Sequence, residues 1–325
     1  MKAVLCEKYG PPEVLKLREM ETPVPGDREV LIRVHAATVT AADYRMRSFD
    51  VSGLFWLPMR LSLGLTRPKR GILGTELAGE VETVGKEVSL FKKGDRVFGI
   101  NTGGNGAYAE YACRPQDSAL AAIPTGMTFE QAAAIPFGAL AALYFLRDKG
   151  QIRSGQRVLI YGASGGVGTA AVQLAKSFGA HVTGVCSTGN IGMVRSLGAD
   201  QVVDYTKEDF SKRGETWDII FDTVGKTSFS RCRGSLEKRG RYLLTVFYLP
   251  QLLQMLWTSI TGGRKVICGI GTEKREDLLF IRGLMEEGKI EPVIDRRYSL
   301  GQIIEAHRYA EGGHKKGSVV ITVDQ

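Results

Sequence analysis

The segment that most limits what this chain can fold into is Gly162-Ala163-Ser164-Gly165-Gly166-Val167-Gly168. It follows a short apolar run, Arg157 to Tyr161. It leads into a stretch whose apolar residues Val167, Ala171, Leu174, Ala175 and Phe178 recur at helical spacing. A strand, a glycine-rich turn and an amphipathic helix, in that order, are the context in which such glycines carry meaning. Residues without Cβ let the backbone reverse sharply and let a pyrophosphate approach the amides at the helix N-terminus. The spacing is Gly162-x-x-Gly165-x-x-Gly168, not GxGxxG, and alone it is explained as well by tight packing. The flanking segments favour a dinucleotide site with Gly162, Ser164, Gly165, Gly166, Val167 and Gly168 as its cradle.

The rest of the chain divides around this turn. From residue 1 to about 122, short extended runs are broken by Gly and Pro. Val30–Val34 is one; Gly79–Gly85 is another; the turn Lys93-Gly94-Asp95 launches Arg96–Gly99. That pattern predicts a twisted, mostly antiparallel β domain. At Thr128-Phe129-Glu130-Gln131 a capping box opens an alanine-rich helical stretch to Lys149, broken near Pro136 and Gly138. Strands are then predicted at Arg157–Tyr161, His181–Cys186, Gln201–Asp204, Trp217–Asp222, Arg241–Val246 and Lys265–Ile270. Helices between them stop at Gly179 and at Leu197-Gly198. Alternating βαβ units imply a doubly wound parallel sheet covered on both faces. After a last helix around Glu276–Glu287, strands at Val293–Asp295 and Gly317–Val323 are expected to rejoin the first domain. The predicted organisation is residues 1–122 completed by 291–325, with residues 123–290 inserted as the nucleotide-binding domain.

Composition narrows the partners. The apolar stretch from Tyr242 to Ile260 is interrupted by Pro250, Gln251 and Gln254. A membrane span needs about 20 mostly apolar residues, so a buried strand running into an amphipathic helix is expected instead. A net charge of +8 gathers at Arg60, Arg67, Lys69 and Arg70, and between Lys226 and Arg241. No nucleic-acid motif accompanies these patches, and solvated faces that attract an anionic cofactor are the expectation. The N-terminal Met1–Glu7 carries an early acid and no apolar core, unlike a secretory signal. Five cysteines, odd in number and never in a CxxC pair, point to a reducing, cytoplasmic setting.

The end of the second predicted strand bears on which dinucleotide is bound. An NAD site usually places an acid there, roughly 20 residues past the glycines. Gly184-Val185-Cys186-Ser187-Thr188-Gly189-Asn190 has none. Ser187, Thr188 and Asn190 are the expected donors to a 2′-phosphate, and NADPH the expected cofactor.

Several further motifs stand in order along the chain. They are Gly74-Thr75-Glu76-Leu77-Ala78-Gly79-Glu80-Val81 with Val84-Gly85, Lys93-Gly94-Asp95-Arg96-Val97, and Gly106-Ala107-Tyr108-Ala109-Glu110-Tyr111. The glycine turn, Leu197-Gly198-Ala199-Asp200, Asp204-Tyr205 and Lys316-Gly317-Ser318-Val319-Val320-Ile321 complete the series. Together they resemble the medium-chain dehydrogenase/reductase superfamily, in its zinc-independent quinone oxidoreductase (zeta-crystallin-like) branch. The resemblance covers essentially the whole chain. It implies a Rossmann domain inserted into a GroES-like domain, and NADPH-dependent reduction of quinones or activated carbonyl compounds. Tyr205 falls where that branch has a tyrosine near the adenosine phosphate. The branch also often forms homodimers through its last Rossmann strand, here Lys265–Ile270.

Departures from the family pattern matter. Gly189-Asn190 stands where relatives often carry Lys or Arg, leaving the 2′-phosphate held less tightly or by a base such as Arg195. Thr40-Ala41 replaces an Asn-Pro, and Ala141 replaces a Thr near the nicotinamide. Zinc-using members need a Cys in the first domain and a His in Gly-His-Glu, because tetrahedral zinc prefers nitrogen and sulfur. Here the triplet is Gly74-Thr75-Glu76, and His35, His181, His307 and His314 lack ligand-like spacing; no metal is expected. A substrate oxyanion then needs a hydrogen-bond donor. Thr40 and Tyr44 are the candidates, each equally well explained by packing, while Asp43 is expected to fix their loop. Two other functions stay open: an enoyl or alkenal reductase or NADP-linked alcohol dehydrogenase, and a cofactor- or RNA-binding protein with little turnover.

Overall fold

The computed structural model describes residues 1–50, 53–69, 71–101, 106–271 and 273–323. Arg70 of the first basic patch lies outside the described residues. The chain forms two compact units, Met1–Phe137 with Glu273–Gln325, and Gly138–Thr272.

In the first unit, β1 (Lys2–Cys6) pairs antiparallel with β2 (Leu15–Glu19). Five strands follow: β3 (Glu29–Thr38), β4 (Glu76–Val84), β5 (Arg96–Ile100), β6 (Tyr111–Pro115) and β7 (Leu120–Ala122). They pair antiparallel, with β3 at the centre against both β4 and β6. Alternating burial along β3 turns Val30, Ile32 and Val34 into a core shared with Leu77, Val81, Val97 and Tyr108. Between β3 and β4 lie the helices α1 (Ala41–Ser48) and α2 (Gly53–Leu63). The capping box at Thr128 forms as expected and opens α3 (Phe129–Ala133). The expected break follows: Pro136, which lacks an amide hydrogen, begins a new helix, α4 (Pro136–Leu143).

The second unit holds β8 (Arg157–Tyr161), β9 (His181–Cys186), β10 (Gln201–Asp204), β11 (Trp217–Asp222), β12 (Leu236–Leu244) and β13 (Lys265–Cys268). Its order is β10-β9-β8-β11-β12-β13, all parallel. Helices α5 (Gly166–Ser177), α6 (Ile191–Ser196), α7 (Phe229–Cys232) and α8 (Leu249–Thr261) connect the strands. The fifth strand starts earlier than the sequence predicts, because Leu236 pairs with Trp217 past a register shift. Tyr242 to Ile260 is the expected strand end followed by a helix, although α8 leaves Leu253, Leu256, Trp257 and Ile260 exposed.

The chain then returns to the first unit. Helix α9 (Arg275–Glu286), β14 (Ile294–Ser299), α10 (Ile303–Glu311) and β15 (Ser318–Thr322) complete it. Strand β15 pairs antiparallel with β3, so the C-terminal segment joins the strands of residues 29–122 in one seven-stranded sheet. The unit boundaries fall at 137 and 273. Helix α3 packs on β3 and β4, and the Ser318 hydroxyl donates to the Ala134 carbonyl, which keeps α3 with the first unit.

Candidate cofactor site and polar cluster

In the parallel sheet, strand order reverses between β8 and β11, and ligands of such sheets bind at that switch, beyond the carboxyl ends of the strands. The glycine turn sits there, directly after β8. The amides of Gly162 and Ala163 both donate to the Val185 carbonyl, at 3.1 and 3.0 Å, tying the turn to β9. Gly162 has φ +82°, a left-handed conformation that favours glycine, and a Cβ on it would meet Thr223 and Val224. On Gly168 a Cβ would stand 2.0 Å from the Gly162 carbonyl oxygen; on Gly138, at the start of α4, 2.4 Å from that of Gly166. Gly165 differs. It is the N-cap of α5, with φ −81°, and a Cβ there would find only ordinary contact at 3.6 Å. Gly162 and Gly168 therefore shape the turn, whereas Gly165 leaves the helix N-terminus open. The first-turn amides of α5 lack intrahelical partners and present partial positive charge. This cradle fits a pyrophosphate.

The rim beside it is built from neighbouring strand ends. Asn190 Nδ2 donates to Ser164 Oγ at 3.1 Å and to Ser187 Oγ at 3.2 Å, bridging the glycine turn to the end of β9. Its Oδ1 is buried without a partner. Tyr205 follows β10, its ring about half exposed and its amide bonded to the Cys186 carbonyl at 3.1 Å. On β11, the buried Asp222 accepts the amides of Val224, Gly225 and Thr227, which fixes the loop lying against Gly162. Beyond β12, the Thr245 hydroxyl is buried with no partner.

One feature of this rim differs from what the sequence predicts. The strand end is acid-free only along the chain. Parallel pairing sets Asp204 opposite Cys186, and the Thr188 hydroxyl donates to Asp204 Oδ2 at 2.5 Å. Thr206 donates its amide and hydroxyl to Oδ1, at 3.0 and 2.7 Å. The hydroxyls of Thr188 and Thr206 hold this carboxyl below its ordinary pKa. Thr188, expected as a phosphate donor, spends its hydrogen on a carboxylate. A sequence window around residue 190 cannot contain Asp204; the strand register finds it.

The candidate catalytic residues lie in the first unit. Thr40 is the N-cap of α1 in a capping box with Asp43. The Asp43 carboxylate accepts the Thr40 amide at 2.8 Å, the Thr40 hydroxyl at 2.6 Å, the Gly74 amide at 3.1 Å and the Thr75 hydroxyl at 3.3 Å. Asp43 thus holds α1 to the Gly74-Thr75 turn, as expected of it. Burial pushes its carboxyl above the usual range, against the Thr40 hydrogen bonds. Glu76 accepts the Phe137 amide at 2.5 Å and, closely, the Thr38 hydroxyl. Burial raises it to about 7. Thr40 is therefore already partnered by Asp43. Tyr44 is half-buried against the core, and among the described residues its hydroxyl has no hydrogen-bond partner. Burial raises its pKa.

The chain matches the family model described as an alcohol dehydrogenase GroES-like domain over residues 26–125, and the one described as a zinc-binding dehydrogenase over residues 197–321. Oxygen groups hold the place of the zinc motif: Thr40, Asp43 and Thr75 bonded to one another, and Glu76 bonded to Thr38 and the Phe137 amide. Among the described residues no Cys or His joins them, so they do not fit tetrahedral zinc. The mitochondrial NAD(P)H oxidoreductase RTN4IP1 of Mus musculus is 33% identical, covering 99% of this chain and 89% of the relative. The quinone oxidoreductase from Coxiella burnetii superposes with a TM-score of 0.87 at 30% identity, covering 100% of this chain and 99% of that one. The Escherichia coli quinone oxidoreductase complexed with NADPH gives a TM-score of 0.81 at 27% identity, covering 99% and 100%. The chain belongs to the medium-chain dehydrogenase/reductase superfamily, in its zinc-independent quinone oxidoreductase branch, and is an NAD(P)H-dependent oxidoreductase.

Proposed function

We propose that this protein reduces quinones or α,β-unsaturated carbonyl compounds, using NADPH. The observation that carries the reading is the glycine turn at the sheet's switch point, where Gly162 and Gly168 admit no side chain while Gly165 stands open. The quinone oxidoreductase relatives support the substrate class, and the relative bound to NADPH supports the cofactor. When bound, the dihydronicotinamide supplies a hydride. The chain's own residues supply position and charge. Gly166, Val167 and Gly168 offer amides to the pyrophosphate, the Gly165 amide being spent on the Gly162 carbonyl; Ser164, Ser187 and Tyr205 border the adenosine ribose; the Tyr44 hydroxyl is offered to the substrate oxygen.

In this reading the protein is a homodimer in the cytoplasm. Supporting that are β13, an edge strand with one side unpaired among the described residues, and five buried, free cysteines. The test is NADPH consumption against a panel of quinones, enones, enoyl thioesters and alcohols, with and without a strong chelator. Turnover of quinones or enones that the chelator leaves intact is expected. Activity restored by zinc after chelation would overturn the reading. Turnover of alcohols alone would replace it with an alcohol dehydrogenase, and nucleotide binding with no turnover would favour a binding protein.

A further inference from the structure

The rim that receives the adenosine ribose has an unusual charge balance. A 2′-phosphate carries about −1.5 to −2 charges at neutral pH and presents acceptors only. A ribose 2′-hydroxyl donates as well as accepts. Sites that favour NADPH therefore need cations or uncommitted donors at this position.

Here the Thr188 hydroxyl and the Asn190 amide nitrogen are already committed. Thr188 donates to Asp204, and both bonds drawn from Asn190 Nδ2 go to Ser164 and Ser187. The Asp204 carboxylate is a fixed negative charge one strand over, only 6% exposed. The one cation paired with it among the described residues is Lys207, whose largely exposed side chain places Nζ 3.9 Å from the carboxylate and leaves most of its charge in place. Arg195 projects from α6, exposed, with no bond to this rim among the described residues. What remains for a ligand is the Ser164 and Ser187 hydroxyls and one buried, unpartnered end of the neutral Asn190 amide. That free end is the amide oxygen, an acceptor, which suits a ribose hydroxyl and offers nothing to a phosphate, whereas the serine hydroxyls serve either.

We infer that this site discriminates weakly between NADPH and NADH, with Asp204 offsetting the attraction for the 2′-phosphate and Asn190 standing as the selectivity position. The inference rests on the proposed dinucleotide site.

Binding measured by nicotinamide fluorescence, without substrate, tests it. The dissociation constants for NADPH and NADH are expected to lie within about tenfold of each other. Raising salt is expected to weaken both to a similar degree, because no additional phosphate–cation contact is lost. Asn190→Lys, whatever it does to binding of both nucleotides through the lost Ser164 and Ser187 bonds, is expected to move the ratio of the two dissociation constants about tenfold or more toward NADPH. Asp204→Asn, which keeps the acceptor for Thr206, is expected to move the ratio the same way by a smaller factor. A wild-type preference for NADPH of about 100-fold, or an Asn190→Lys protein with unchanged ratio, would overturn the selectivity inference and leave the dinucleotide site standing. Failure of both nucleotides to bind the wild-type protein would overturn the two together.

Discussion

The glycine turn of the second unit and the threonine–carboxylate cluster of the first differ in what they leave unfinished. The turn is built from backbone, and its first-turn amides await a partner. In the cluster, Asp43 and Glu76 are buried and surrounded by donors from Thr38, Thr40, Gly74, Thr75 and Phe137. Open groups mark where a ligand belongs; closed networks hold a fold. The difference teaches that polarity and burial alone do not identify a working site. Unspent hydrogen-bonding capacity does.

The cluster should be the more fragile to substitution. Asp43→Ala strands the Gly74 and Thr40 amides in the interior, and should cost about 3–5 kcal/mol, read as the shift in a urea unfolding midpoint. A loss below about 1 kcal/mol would mean that water replaces the carboxylate readily and that the network is not closed.

Titration sharpens the same contrast. Burial lowers His307 to about 3, so the folded state refuses a proton that the unfolded chain accepts, and stability falls as pH drops from about 6.5. Glu76 works in the opposite sense. Raised to about 7 from an ordinary 4.5, it holds a proton in the folded state alone, so falling pH adds stability between those values. The two effects offset each other above about pH 4.5. Glu76→Gln removes one of them. Its stability at pH 4.5 relative to pH 7.5 should fall short of the wild-type change by about 3 kcal/mol. Parallel pH profiles for the two proteins would show that Glu76 is ionised in the folded state throughout.

Smallest in stability, and most informative about binding, is a pair of glycine changes. Gly168→Ala forces a methyl against the Gly162 carbonyl and should cost about 1–3 kcal/mol, with loss of nucleotide binding. Gly165→Ala should leave stability within about 0.5 kcal/mol yet weaken NADPH strongly, since the added methyl would enter the open space at the helix N-terminus assigned to the pyrophosphate under the proposed function. Calorimetric unfolding with and without nucleotide separates the two. Equal, small effects on binding would mean that the turn does not hold the pyrophosphate.

Much of this was legible along the chain. The capping box at Thr128, the break at Pro136, the six parallel strands and the return of the last strand to the first domain all follow from local pattern. Strand ends were less legible: β3 runs on to Thr38, and β12 starts at Leu236. Their extents depend on what the neighbouring strand offers for pairing.

By itself, the sequence determined where the backbone must turn, because a missing Cβ is a local steric fact, and in which order strands and helices alternate, because apolar periodicity is local too. Only the tertiary structure decided which polar groups are already spent. It set Asp204 against Thr188 through the pairing of two parallel strands, and it gave the Thr40 hydroxyl to Asp43 within the cap of α1. The reason is that a donor's availability depends on every acceptor that folding brings within about 3 Å, and most of those lie far away in sequence.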